Sequence, residues 1–546
     1  MAILITHGYL LTGTGSNLYV NNIVRELLKK GEDVILVCQD FDPIKIDFVN
    51  ELYDFNVDNT AYNLSAKQET PFAGNCKCFR PNLNGFLPVY VYDHYEGFEV
   101  KEFNSCTDEE VQSYVKQNFS AMDLIMQNHE VSVVNTNHMV MFPYLAKLLK
   151  EKHDFKFVIT VHGSALNFTV KKDKRFENFA VESLKVVDDI VVDSLHADQE
   201  LKEFLEEVSM EYLIQKMEII PAGVDISSFG IAQKSREDMK QDFIASITEN
   251  VSNSNGRTKL VSSNILSANL TSENSTSLVA GVREAYDYRH IDQDAIEKVN
   301  DLNINDNNVF FVGKYLWTKG IYLILLGFPE ILKQQPNTNL IIAGFGPFRE
   351  PAELIVNYLA NGDVDGLKSE LQTNSLFHGE DEKVIPLAVE ILEKHGSKIA
   401  QDVASLDFDI RTKVTFTGIL NHAQLVNLLP IMDVLIAPSV FPEAFGMVAI
   451  EAASCGVYPV VTYQSAFMEI ADQVKELVDG RVDIENVTLD HNASTHIAQN
   501  VLAYLSKKES MTVEESLAFK ASLRKLVVDL YSWEGIAGKY LNTFAS

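Results

Sequence analysis

The chain has 546 residues, with 46 Lys and Arg against 76 Asp and Glu for a net charge of −30; at roughly 100–200 residues per domain it is too long for one core. A hydrophobic share of 46% excludes wholesale disorder. The acidity excludes a general nucleic-acid binder, which must neutralise phosphates, and broad adhesion to anionic lipid.

Ala2–Thr6 is a short, continuous apolar run, the mark of a buried strand. No cationic leader segment precedes it, and no run approaches the ~20 apolar residues of a membrane span, so a cytoplasmic protein without a transmembrane segment is expected. The loop Leu11–Ser16 carries Gly13 and Gly15 and leads into helical spacing over Leu18–Lys30, which stops at Gly31. Its backbone N–H groups suit a phosphate contact at Gly15, or the loop is a tight turn. Leu18 stands where a dinucleotide fingerprint needs its third glycine, which argues against a nicotinamide enzyme. Further strands are predicted at Val34–Val37, Val131–Val134, Phe157–Val161 and Ile190–Val192. Among them, Arg80, Tyr90, Tyr92, Asp93, His94, Tyr95 and Glu96 mix aromatic faces with polar groups, either an acceptor surface or an ordinary tyrosine-bearing loop. Cys38, Cys76, Cys78, Cys106 and Cys455 fit neither a disulfide framework nor a common zinc spacing, so no metal is expected.

Alternating strands and helices predict a doubly wound parallel sheet over residues 1–222. Residues 223–308 read as a linker. Within it Asn250–Ser277 is rich in Asn and Ser and lacks apolar periodicity, so it is predicted to be flexible and removable at little cost. A second series occupies residues 309–521, with strands at Val309–Val312, Leu340–Ala343, Val414–Phe416, Val434–Ala437 and Pro459–Val461. A long connection, Glu350–Arg411, is mostly helical in pattern. Residues 522–546 read as C-terminal helices packing back on the first domain. Two such α/β units predict a cleft between them, with ligands beyond the carboxyl ends of the strands.

The second unit carries the more informative residues. Lys314 and Lys319 follow a strand, and two ammonium groups there can neutralise a diphosphate without metal. Phe445, Gly446, Met447 and Val448 open a helix whose first amides can hold an anion. Glu443 and Glu451 are eight residues apart, about two helical turns, and Glu451 can accept two hydrogen bonds from a ribose diol.

This set resembles glycosyltransferase family 4, retaining enzymes of the GT-B fold. The family's Glu-x7-Glu motif corresponds to Glu443 and Glu451. Pro438-Ser439 through Glu451-Ala452 is similar to its "PS…PEPFG…EA" segment, and Pro221–Phe229 to its "PxGVDxxxF" segment. Its Arg/Lys pair falls on Lys314 and Lys319, position 314 departing from Arg. The loop Thr462–Glu469 lacks the family's glycine pair. The resemblance implies two Rossmann-like domains and metal-independent transfer of a hexosyl group from a UDP-, GDP- or ADP-sugar to a hydroxyl acceptor, with no further cofactor. It assigns the diphosphate to Lys314 and Lys319, and phosphate or sugar contacts to Gly15 and Phe445–Val448. It gives the donor-sugar hydroxyls to Glu443, the ribose to Glu451, and the sugar near its reacting carbon to His162. Arg80, Asp93 and Tyr95 are the acceptor-side candidates. A nucleotide-sugar epimerase, a sugar phosphorylase and a non-catalytic sugar-nucleotide binder are the alternatives.

Overall fold

A computed structural model describes residues 2–13, 15–91, 95–269, 274–377, 385–443, 445–478, 482 and 484–546. The chain divides into two compact units, Met1–Gly223 with Tyr531–Ser546, and Val224–Leu530.

In the first unit the strands are β1 (Ala2–Thr6), β2 (Val34–Val37), β3 (Glu51–Phe55), β4 (Tyr62–Lys67), β5 (Cys76–Arg80), β6 (Phe86–Val89), β7 (Glu99–Glu102), β8 (Val131–Asn137), β9 (Lys156–Val161), β10 (Asp189–Val192) and β11 (Met217–Ile219). Nine of them form one sheet in the order β11-β10-β9-β8-β1-β2-β5-β3-β4, and β6 pairs with β7. Only the β3–β4 pairing is antiparallel. The predicted interior strands all form, because their apolar runs are buried on both faces. Strand order reverses between β1 and β8, and open α/β sheets bind ligands beyond the strand ends at such a reversal.

The last helix, Trp533–Ala545, belongs to this unit. Its Tyr540 hydroxyl lies 2.6 Å from that of Tyr19 and 3.0 Å from Thr160 Oγ1. Trp533 packs so closely that a Cβ on Gly223 would lie 2.5 Å from the indole. The chain rejoins the first unit at Tyr531, later than residue 522, because the preceding helix, Val513–Tyr531, runs almost wholly in the second unit.

The second unit is built on β12 (Asn307–Lys314), β13 (Thr338–Phe345), β14 (Val414–Gly418), β15 (Val434–Ala437) and β16 (Tyr458–Val461). All are parallel, in the order β14-β13-β12-β15-β16, with the reversal between β12 and β15. The helix Ile321–Gln334 is apolar on nearly every side and buried accordingly.

The expected flexible insertion is instead folded. Helices Arg236–Ser252, Lys259–Leu266, Ser275–Arg283 and Ala295–Asp301 occupy the stretch. Phe243, Ile247, Ile265, Val279 and Val282 are buried. Between them Arg257, fully buried, reaches Glu353 and, at 2.8 Å, Glu350. Arg349 joins this network through Glu353 and Asp292, both at 2.9 Å. Sparse apolar anchors and a buried arginine network hold a segment whose text is mostly polar. Among the described residues no helix is long and apolar enough to cross a membrane.

Candidate active site

The loops that follow β12 and β15 meet at the reversal of the second sheet. β12 ends in Lys314, whose side chain is exposed. The chain then makes a single turn, Trp317–Lys319, and enters the helix Ile321–Gln334 through Gly320, which has φ 67°. A Cβ at Gly320 would lie 1.9 Å from the Pro438 carbonyl oxygen, so glycine lets the two loops touch. The Val440 N–H donates to Thr318 O at 2.8 Å and fastens them together.

That contact sets a polar clasp. Lys319 Nζ lies 2.5 Å from Glu443 Oε1, and Ser439 Oγ lies 2.6 Å from the same oxygen. The Glu443 N–H donates to Ser465 Oγ at 2.9 Å, which ties the clasp to the loop after β16. The charges of Lys319 and Glu443 thus offset one another.

Gly446, at φ 85°, caps the helix Met447–Ser454 in a left-handed conformation. A Cβ there would lie 2.1 Å from the Phe467 ring. Phe445 is buried, Met447 and Val448 are half-buried, and of the first-turn N–H groups that of Ala449 donates to the Gly446 carbonyl at 3.1 Å. One and a half turns deeper, Glu451 is 7% exposed, and burial pushes its carboxyl up to about 8. Its nearest ring, His422, lies 3.7 Å away and is itself held below the ordinary histidine value by burial.

In the first unit, three histidines follow three neighbouring strands at that sheet's reversal. His7 follows β1, His138 follows β8 and His162 follows β9. The ring centroids of His7 and His138 are 5.6 Å apart, and those of His138 and His162 are 5.0 Å apart. Asn17 Nδ2 donates to Thr12 O, so its Oδ1 accepts from His7 Nε2 at 2.7 Å and fixes that tautomer. Burial pushes His7 down to about 4 and His138 well below its ordinary value. His138 is 2% exposed with φ 71°, and among the described residues neither ring nitrogen has a hydrogen-bond partner. Sequence reasoning missed it. The signal was available, because His138 ends a buried strand just as His162 does.

Gly15 opens the helix Gly15–Lys29 and is exposed. Of the acceptor-side candidates, Arg80 and Tyr95 are both engaged by neighbours in the first unit. Arg80 is engaged by Asp54 at 2.7 Å and by the Asp40 carbonyl at 3.1 Å. Tyr95 is 9% exposed, with its ring stacked 6.1 Å from that of Tyr9. Asp93 lies outside the described residues. All five cysteines are free and buried, and no cluster of three or more potential metal ligands occurs among the described residues.

Residues 403–510, which include Glu443 and Glu451, match the family described as "Glycosyl transferases group 1". The uncharacterized glycosyltransferase MJ1607 of Methanocaldococcus jannaschii is 26% identical over 253 residues, 45% of this chain and 48% of that protein. The match thus spans about half the length of that relative. Among solved structures, sucrose-phosphate synthase from Thermosynechococcus elongatus matches with a TM-score of 0.51 at 15% identity, covering 100% of this chain and 98% of that one. The trehalose-6-phosphate synthase OtsA matches with a TM-score of 0.52 at 9% identity, covering 100% and 99%. Anabaena HepE, in complex with UDP and glucose, matches with a TM-score of 0.50 at 11% identity, covering 100% of each chain. The fold is that of the GT-B glycosyltransferases, and within it residues 403–510 match the group 1 glycosyl transferases.

Proposed function

We propose that the chain is a retaining hexosyltransferase that moves a hexosyl group from a nucleoside diphosphate sugar to a hydroxyl acceptor without a metal ion. The observation that carries this reading is the Lys319–Glu443–Ser439 clasp at the reversal of the second sheet, inside the loops beyond β12 and β15. Its partners have the chemistry the reaction needs: a cation for a departing phosphate, and a carboxylate for sugar hydroxyls. Lys314, the Gly446–Val448 amides and Glu451 extend the same edge toward phosphate and ribose. HepE, described with UDP and glucose, favours UDP-glucose as the first donor to test.

The step we propose is a front-side displacement. The acceptor oxygen forms a bond to the anomeric carbon on the face that the diphosphate leaves. The carbon–oxygen bond to phosphate breaks, and the acceptor proton passes to the leaving phosphate oxygen. Lys314 and Lys319 offset the charge that develops there. In the first unit, His162 and His138 are the candidate contacts for sugar or acceptor hydroxyls, and Gly15 for an anionic group. The deciding experiment is nucleoside diphosphate release from UDP-, GDP- and ADP-sugars, with and without hydroxyl acceptors, with the product's anomeric configuration read by NMR. Acceptor-dependent release with retained configuration is expected. Inverted product, or release that ignores every acceptor, overturns the reading.

A further inference from the structure

The strand β16 is followed by a loop, Thr462–Glu469, that contains no glycine yet turns through the left-handed region. Ser465 makes that turn, at φ 46° and 9% exposed. A side chain costs strain there, and glycine would adopt the same backbone freely. What the serine supplies in return is its oxygen. Ser465 Oγ accepts the Glu443 N–H at 2.9 Å, and the Ala466 N–H donates to the Glu443 carbonyl at 3.4 Å. Both main-chain polar groups of Glu443 are thus held by this loop. Two further side chains of the loop fix the segment that leads to Glu443. Thr462 Oγ1 donates to the Ser439 carbonyl at 2.7 Å, and Gln464 Nε2 donates to the same carbonyl and, at 3.2 Å, to that of Phe441.

We propose that Ser465 is a positioning residue for Glu443: by holding its amide it aims the carboxylate at one hydroxyl of the donor hexose, and so sets which sugar the site takes. The inference rests on the proposed role of Glu443 at the donor sugar. A glutamate side chain turns about three bonds, so its carboxylate is aimed only when both ends are held. Lys319 and Ser439 restrain the carboxylate end. Ser465 restrains the end at which the side chain leaves the main chain. Ser465 therefore acts through Glu443 rather than on the sugar. A site built to bond one particular hydroxyl rejects a donor that lacks it, because the polar group facing the gap is left unpaired. A carboxylate free to swing loses that discrimination. The strained serine is the cost of holding the aim, and a glycine in its place would keep the turn and give up the bond.

The test compares Ser465→Gly with Ser465→Ala in the full chain. Both remove the hydroxyl, but only glycine relieves the strain at φ 46°, so Ser465→Gly is expected to melt above Ser465→Ala. With a verified sugar-nucleotide donor, both are expected to lower kcat/KM roughly 10-fold, about the worth of one hydrogen bond. Both should also lose most of the wild type's discrimination against the monodeoxy donor that lacks the hydroxyl Glu443 bonds. Discrimination that Ser465→Gly leaves unchanged overturns the inference. So does activity that recovers from Ser465→Ala to Ser465→Gly in step with melting temperature, since the loop would then supply only its backbone shape. The bond itself is read without substrate, in protein carrying 15N-glutamate, with the Glu443 amide assigned through Glu443→Asp. That amide is expected to exchange with D2O at least about 10-fold more slowly in the wild type than in Ser465→Gly. Equal exchange overturns the inference. If the wild type turns over no sugar nucleotide, the proposed function fails, while the exchange rates still decide whether Ser465 holds Glu443.

Discussion

Glu451 gives the most quantitative test of the second unit. Its carboxyl rises from 4.5 to about 8 in the folded chain because burial disfavours the charge. Between those values the native state holds a proton that the unfolded state has lost, so native stability falls as pH rises. The contribution is fully present below about 4.5 and is lost as pH passes through about 8. At about 1.4 kcal/mol per pH unit the span sets a ceiling of about 5 kcal/mol. Glu451→Gln keeps the shape and removes the titration, so its stability should stay level where the wild type declines. Urea denaturation in a Trp533→Phe background, which leaves Trp317 as the single tryptophan, reports on the second unit. From pH 5.5 to 8 the wild type should lose at least about 1 kcal/mol relative to Glu451→Gln. Parallel curves, or a wild type that gains, would refute the reasoning and leave Glu451 an ordinary ionised carboxylate. UDP should reverse the decline, because a ribose diol donating to the carboxylate favours its charged form.

Four further outcomes are expected. Lys319→Ala should lower kcat roughly 10²–10³-fold and weaken donor binding less, with Lys319→Arg recovering part of the rate; normal turnover of a verified donor would remove the diphosphate role. EDTA should leave the activity nearly intact, since the two lysines supply the positive charge, and an absolute need for Mg²⁺ or Mn²⁺ would contradict this. Arg257→Ala should cost about 3–5 kcal/mol because it strands Glu353 and Glu350 in a buried site. Deleting residues 250–277, which the polar text suggests is harmless, should unfold the second unit with it; a Tm unchanged by either alteration would restore the insertion to a passive loop.

What could be read from the sequence depended on burial. Strands such as β9 and β15 are apolar on both faces, so their continuous runs stand out. β4, exposed along most of its length, and the three-residue β11 lie at the sheet's edges and carry no such run. The insertion was misread for a related reason: a fully buried Arg257 looks like surface until its carboxylate partners are known. Local spacing and the motif resemblance singled out Lys319, Glu443 and Glu451 as candidates. They could not show that Lys319 and Glu443, 124 positions apart, share an ion pair. Nor did they separate His138 from the other polar residues at strand ends, because its unpartnered ring is a property of packing.

The return of the chain at Tyr531 has a consequence for biosynthesis. The first unit is discontinuous: its sheet is encoded before the second unit, but the helix that covers Tyr19 and Thr160 is encoded after it. During synthesis from the N-terminus, residues 1–223 emerge ahead of the second unit yet lack Trp533 and Tyr540 until that unit has been made. The second unit, Val224–Leu530, is continuous and can close as soon as its own residues are present. Completion of the first unit therefore waits on synthesis of the second, and a chain cut short before Trp533 would damage the unit made ahead of it.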